Sequence, residues 1–137
     1  LFNKILLASD GSEYAIRATE KAIEVAKCNP ETTIHVVYVA GDSKGDVLQN
    51  WNTLGAQDKR KEKVSPSVEK LEAARIKYEV KYLHGEPGPA IVKHANENDF
   101  DLVVVGSRGR NRLQELVLGS VSHKVAKRAC CAVMIIK

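Results

Sequence analysis

The sequence predicts an α/β protein: a doubly wound, five-stranded parallel sheet with helices on both faces. Three observations predict it. Five short strand-like runs recur along the 137 residues. Helical patterns fill the intervals between them, and this alternation is the mark of strand–helix–strand units. Four of the five runs are apolar enough to be buried on both faces, as strands of a helix-covered parallel sheet are. Their crossovers are expected to be right-handed. The length fits one domain over residues 1–137.

The first run is "KILLAS", Lys4 to Ser9. A helix is expected after Ser12, where Ala15, Ala18, Ala22 and Val25 or Ala26 recur at helical spacing beside Ile16 and Ile23. Ser12 is its expected cap, and Glu13 suits the positive end of the helix dipole. Asn29-Pro30 is expected to stop it, because the proline ring and its missing N–H both oppose continuation. "TIHVVYVA", Thr33 to Ala40, is rich in β-branched residues and reads as the second strand. Gly41 to Gly55 follows neither period and reads as a loop, with Trp51 folding back or meeting a partner. A charged helix is expected from about Ala56 to Arg75. Ser65-Pro66 interrupts it, so that it begins properly at Pro66, with Val68, Leu71, Ala74 and Arg75 as its inner stripe. "KYEVKYL", Lys77 to Leu83, alternates and is the third strand. A helix from about Pro89 to Asn98 carries Ala90, Ile91, His94 and Ala95. "DLVVVGS", Asp101 to Ser107, is the fourth strand, and Asp101 reads as its turn or start residue. A last helix runs to about Ala129, and "AVMIIK", Ala132 to Lys137, closes the sheet.

Composition narrows the function classes. No window is apolar and long enough to span a bilayer, so no membrane association is expected. "LFNKILLASD" lacks the parts of a secretory signal, and the chain opens on Leu1 rather than methionine, so a preceding residue is expected. Cys28, Cys130 and Cys131 match no disulfide framework and read as reduced thiols of a cytoplasmic protein, one of the adjacent pair packing inward. His35, His84, His94 and His123 show no zinc-like spacing, and His35 reads as a packed strand residue. The net charge of +4 is uneven. Between Ser107 and Arg128 stand Arg108, Arg110, Arg112, Lys124, Lys127 and Arg128 against Glu115 alone. Such a focus attracts anions.

The chemistry concentrates in "VVVGSRGRNRLQELVLGSVSHK". Gly106 ends a strand and Gly109 follows, so turn N–H groups there can converge on an anion. Asn111 to Gln114 has the form of a capping box. Gly119 breaks the pattern, and Ser120 is then placed to cap the last helix, whose amino end also favours negative charge. The hydroxyls of Ser120 and Ser122 are available to phosphate. From spacing alone, plain turn punctuation stays as open as an anion site. There is no Walker A loop, no dinucleotide fingerprint and no nucleophile elbow. Asp10, before Gly-Ser, reads equally as a site residue or as an Asx-type turn.

Taken whole, the chain resembles the ATP-binding branch of the universal stress protein family. That branch carries G-2x-G-9x-G-[S/T], and Gly106, Gly109, Gly119 and Ser120 match it without a gap. "ILLASDGSEYA", "HVVYVA", "HGEPGPAIVKHA", "DLVVVGSRG" and the tail "CCAVMII" resemble the family's other segments. The resemblance implies an adenine nucleotide alpha hydrolase-like sheet of order 3-2-1-4-5. It implies ATP or AMP as ligand, with Mg or Mn where Asp10 meets ribose and phosphates. Val39 matches a backbone contact to adenine; Gly106, Gly109, Gly119 and Ser120 match the ribose- and phosphate-holding segment, with Ser122 and Arg110 beside them. It further implies a stress-response regulator, homodimeric through residues 132–136, with an unknown protein partner. Arg110, Asn111 and Arg112 depart from the small residues usual there, and His123 from an acidic or amide one. His123 is either an exposed helix residue or a source of pH sensitivity. Catalysis is expected to be absent or a slow ATPase, since no general base is evident. The alternatives are a slow metal-dependent ATPase or phosphotransferase using Asp10, and a nucleotide-free dimeric or nucleic-acid-binding module using Arg108, Arg110 and Arg112. Nucleic acid is not expected, because no aromatic residues interleave those arginines.

Overall fold

The computed structural model describes residues 2–40, 54–108 and 119–137. The strands are β1 (Lys4–Ala8), β2 (Thr33–Ala40), β3 (Lys77–His84), β4 (Leu102–Gly106) and β5 (Ala132–Ile136). The helices are α1 (Glu13–Ala26), α2 (Leu54–Ala73), α3 (Pro87–Glu97) and α4 (Ser120–Arg128). All strands pair in parallel in the order β3-β2-β1-β4-β5, as the sequence and its resemblance imply.

Alternation along the strands divides the apolar residues between two cores. Ile5, Leu7, Val36 and Val104 face α1 and α2, meeting Ala18, Ala22, Val64 and Leu71. Leu6, Val37, Val103 and Val105 face α3 and α4, meeting Ile91, Ala95 and Val125. Helices therefore cover both faces. The central strands β1 and β4 are the deeply buried ones. β5 is not, although its sequence reads as buried on both faces: none of its residues is fully covered. Position overrides composition there, because an edge strand has a neighbour on one side only.

Other boundaries shift for local reasons. Ser12 caps α1 as expected, its Oγ accepting from Ala15 N at 3.1 Å. α1 ends at Ala26, before Asn29-Pro30 is reached, and Asn29 instead shapes the following turn by accepting from Glu31 N at 3.0 Å. α2 begins at Leu54, inside the segment read as loop, and runs through Pro66 rather than starting there. Proline costs a helix one ladder bond. Here Val64, Ser67 and Leu71 are each at most 3% exposed, so packing on both sides of Pro66 holds the helix continuous. Arg75 is not part of the inner stripe; it takes φ 58° and ends the helix, Ile76 N donating back to Leu71 O at 3.1 Å. α3 starts two residues earlier than expected, with Pro87 in its first turn. Trp51 and the Asn111–Gln114 capping box lie outside the described residues.

Asp101 does what a strand-start residue does. Its Oδ2 accepts from Asn3 N at 3.0 Å and Lys4 N at 2.9 Å, tying β4 to the start of β1. Among the described residues no helix is long and apolar enough to cross a membrane.

Candidate functional site

A cavity of about 460 Å³ opens above the carboxyl ends of β1, β2 and β4, within the size range of small-molecule sites. The strand order reverses between β1 and β4, where ligands of doubly wound sheets sit. Four stretches far apart in the chain form its wall: 8–15, 37–39, 86–91 and 105–122, the last through its described members. Asp10, Val39, Gly106, Gly119, Ser120 and Ser122, all singled out in the sequence, line this one cavity. Gly109 and Arg110 lie outside the described residues.

Each wall has a local cause. After β1 the chain turns at Gly11, whose φ of 83° is one that L side chains rarely adopt. The turn is closed by Asp10, whose Oδ1 accepts from Ser12 N at 2.9 Å. Asp10 is thus both of the things its pattern allows: an Asx-type turn residue and a carboxylate on the cavity wall.

Opposite, β4 runs into Gly106. A Cβ there would stand 2.6 Å from Tyr14 Cβ, so the first turn of α1 packs directly on the strand end. Close approach, not a left-handed backbone, is what this glycine provides. Ser107 N donates to Ile136 O at 2.7 Å, and Ser107 O accepts from Gly119 N at 2.8 Å. That bond draws the start of α4 against the end of β4.

Gly119, not Ser120, is the capping residue of α4. Ser120 is the first helical residue and is exposed at the cavity. The first ladder bond of α4 is His123 N to Gly119 O at 3.0 Å. The amides of Ser120, Val121 and Ser122 precede it and have no acceptor within the helix, an arrangement that favours an anion. Ser122 is 1% exposed, and its Oγ lies 3.0 Å from both Ser107 O and Gly119 O. Its single hydrogen is shared by those carbonyls, so its hydroxyl braces the corner rather than donating to phosphate.

Two cavity residues carry no role of their own in the sequence reading, and a third enters it only through its charge. Arg108, read in the sequence as part of the basic focus and of the alternative nucleic-acid surface, is a cation on the cavity wall. Glu86 and Pro87 bring the start of α3 to the rim, and Glu86 Oε1 lies 3.6 Å from Lys124 Nζ on α4. The signal for Glu86 was its place three residues beyond the expected end of the third strand at Leu83, since parallel sheets gather their ligand contacts past the carboxyl ends of strands. Val37, Val39, Ile91 and Val105 supply the apolar part of the cavity.

Among the described residues no cluster of three or more His, Cys, Asp or Glu forms a metal site. One carboxylate at Asp10 fits an ion held chiefly by phosphate oxygens, which is how Mg²⁺ is commonly bound, and not a protein-caged metal. His123 is exposed on α4. His35 packs edge-on to Phe100 with ring centroids 5.0 Å apart, and burial holds it below the usual imidazole value. Cys28 and Cys130 are exposed, while Cys131 is the inward one, its thiol pushed up by burial.

Comparisons with known proteins agree with this geometry. The model of the universal stress protein family matches residues 1–137. Universal stress protein YxiE of Bacillus subtilis (strain 168) is 32% identical over 149 aligned residues, covering 100% of both chains. The solved structure of MJ0577, a protein of Methanocaldococcus jannaschii, superposes with a TM-score of 0.84 at 26% identity, over 99% of this chain and 96% of that one. At3g01520 of Arabidopsis thaliana, solved with AMP bound, shares the fold with a TM-score of 0.72 at 22% identity, over 98% and 91%.

Proposed function

The chain belongs to the universal stress protein family, and from that premise we propose that it is a regulatory protein that binds an adenine nucleotide, ATP or AMP, in the cavity above β1 and β4. One observation carries the reading. A single cavity gathers a carboxylate at Asp10, an apolar slot at Val37, Val39 and Ile91, and the first amides of α4, which have no acceptor within the helix, beside Arg108. Those are the surfaces that a ribose, a base and a phosphate group respectively require. At3g01520 carries AMP on the same fold, which supports an adenine nucleotide at the level of the fold.

In this reading the base lies against Val39 and the aliphatic slot, and the phosphates face the start of α4. Asp10 holds the ribose side and meets any Mg or Mn that the phosphates carry. Gly109 and Arg110, which follow Arg108 in the chain, belong to the same phosphate-holding segment. Binding, rather than turnover, is the function proposed. Asp10 Oδ1 already accepts from Ser12 N, and the other carboxylate on the wall, Glu86, has a side chain 71% exposed beside Lys124. Neither is placed as a strong general base, so hydrolysis would be slow. The ligand acts by favouring the conformation that holds it best, and so changes what the protein meets. β5 ends the sheet with an unpaired edge, and the reading extends to a homodimer formed through residues 132–136.

The test is direct. Freshly purified protein is extracted and its small molecules identified by mass spectrometry, and nucleotide-free protein is titrated with ATP and AMP by calorimetry. Co-purified adenine nucleotide, or heat of binding that disappears in Gly119→Val, is the expected result. No retained nucleotide and no binding at millimolar ATP would defeat the proposal.

A further inference from the structure

Three hydroxyls are buried between β1, α1 and α2. Ser9, Ser67 and Thr19 are 3%, 1% and 0% exposed. Ser9 Oγ lies 2.8 Å from Ser67 Oγ, Ser67 Oγ lies 2.8 Å from Thr19 Oγ1, and Thr19 Oγ1 donates to Ala15 O at 2.8 Å. Each hydroxyl has one hydrogen, and a carbonyl has none to give. The hydrogen of Thr19 is therefore spent on Ala15 O. Ser67 must then donate to Thr19, and Ser9 to Ser67. The chain of bonds runs one way, with every hydrogen used.

That chain does not end at Ala15. Ala15 N donates to Ser12 Oγ at 3.1 Å, and Ser12 N donates to Asp10 Oδ1 at 2.9 Å. Asp10 is bonded covalently to Ser9. The bonds thus close into a ring through Ser9, Ser67, Thr19, Ala15, Ser12 and Asp10. Four of these six residues line the cavity; Ser67 and Thr19 do not. α2 supports the same turn at a second point, where a Cβ on Gly11 would lie 3.5 Å from Lys63 O and from Lys63 Cδ.

We propose that Ser67 and Thr19 are positioning residues for the candidate site: through this ring they fix the turn that presents Asp10, and so make α2 part of the machinery that sets ligand affinity. The ligand half of the proposal rests on the nucleotide reading above; the mechanical half does not. Removing the Ser67 hydroxyl leaves the Ser9 hydrogen without its acceptor and loosens the turn from α2, with the Lys63 contact at Gly11 remaining. A purely structural role would instead weaken the whole domain evenly.

Amide hydrogen exchange on the full chain without ligand separates these cases. The reporter is the Ser12 amide, whose acceptor is Asp10; the reference is the His123 amide of α4, whose acceptor is Gly119 O. Ser67→Ala and the near-isosteric Thr19→Val are expected to speed Ser12 exchange about tenfold more than His123 exchange, the weight of roughly one net hydrogen bond. Thr19→Ser restores the hydroxyl and is expected to restore protection. Equal acceleration at both amides overturns the proposal, as does Thr19→Ser behaving like Thr19→Val. ATP titration of the same proteins then tests the ligand half. About tenfold weaker binding in Ser67→Ala and Thr19→Val, with parental affinity in Thr19→Ser, supports it. Unchanged affinity overturns it. A parent protein that does not bind ATP defeats the nucleotide reading, while the exchange result still decides the ring.

Discussion

The two walls of the cavity are built on opposite principles. The β1–α1 wall depends on polar side chains: the Asp10 carboxylate stands on the cavity, and the turn that carries it is tied into a ring in which the hydrogens of Ser9, Ser67 and Thr19 are all committed. The β4–α4 wall is made by leaving side chains out. Gly106 lets α1 touch the strand, and Gly119 lets the start of α4 lie against Ser107. The first wall is sensitive to losing a polar atom, the second to gaining a methyl group.

Breaking the glycine wall has the largest expected effect. Gly106→Ala places a methyl 2.6 Å from Tyr14 Cβ and 3.1 Å from the Tyr14 carbonyl carbon, neither of which is the movable end of a side chain. Urea unfolding is expected to register a loss of about 1–3 kcal/mol, the usual range for overpacking. Adding Tyr14→Ala leaves the Cβ in place and is expected to recover almost none of it. Recovery in that double variant would mean that the ring of Tyr14, and not its backbone approach, sets the spacing.

Acid sharpens the comparison, because it falls on one face of the sheet. His35 and His94 both pack against Phe100, at 5.0 and 5.4 Å between centroids, and Phe100 belongs to the core that α3 and α4 cover. Both are held below the ordinary imidazole value, chiefly by burial. Lys4 opposes protonation of both, Lys81 and His35 oppose that of His94, and Glu79 and Glu97 favour it at His35 and His94 respectively. The folded state therefore binds fewer protons than the unfolded state. The stability due to these histidines is full above the unfolded value of about 6.5 and is lost as pH falls through the lower folded values. Urea midpoints are expected to fall between pH 7.5 and 5.5, and His94→Gln to flatten that dependence. Exchange at the α3 and α4 amides should rise before exchange at α1 and α2. Simultaneous loss on both faces would remove the distinction.

Smallest of all is the bridge over the rim. Lys124 Nζ is 3.6 Å from Glu86 Oε1, with the two side chains 36% and 71% exposed. Screened pairs of this kind contribute little. Lys124→Gln, which keeps most of the stem that packs over Gly88, is expected to shift unfolding by no more than about 0.5 kcal/mol. A larger loss would make the rim pair a third wall rather than a surface contact.

Much of this was legible in the chain. Runs such as "KILLA" and "LVVVG" are long enough to be strands and apolar enough to be covered twice, and that property is local. Ser12 before Glu13 marks a helix start wherever it stands. The cavity residues Asp10, Gly106 and Gly119 were found because each follows or ends a strand, or precedes a helix, and because their spacing resembles a family's. Pro66 misled for the same local reason: a proline reads as a break until packing on either side of it is known. Glu86 escaped because it has no motif of its own, and Arg108 was legible only as one charge in a basic cluster; that both stand on this cavity depends on where the sheet delivers them.

The sequence by itself determined the alternation of strands and helices and which glycines and serines gather beyond the strand ends, since periodicity, capping and glycine placement act over a few residues. Only the tertiary structure decided that β5 is half-covered, that Ser122 braces instead of donating, and that Ser67 closes a ring with Ser9 from 58 positions away. Those outcomes depend on which surfaces meet, and a hydroxyl acquires its direction only when the acceptor at the far end of its chain is in place.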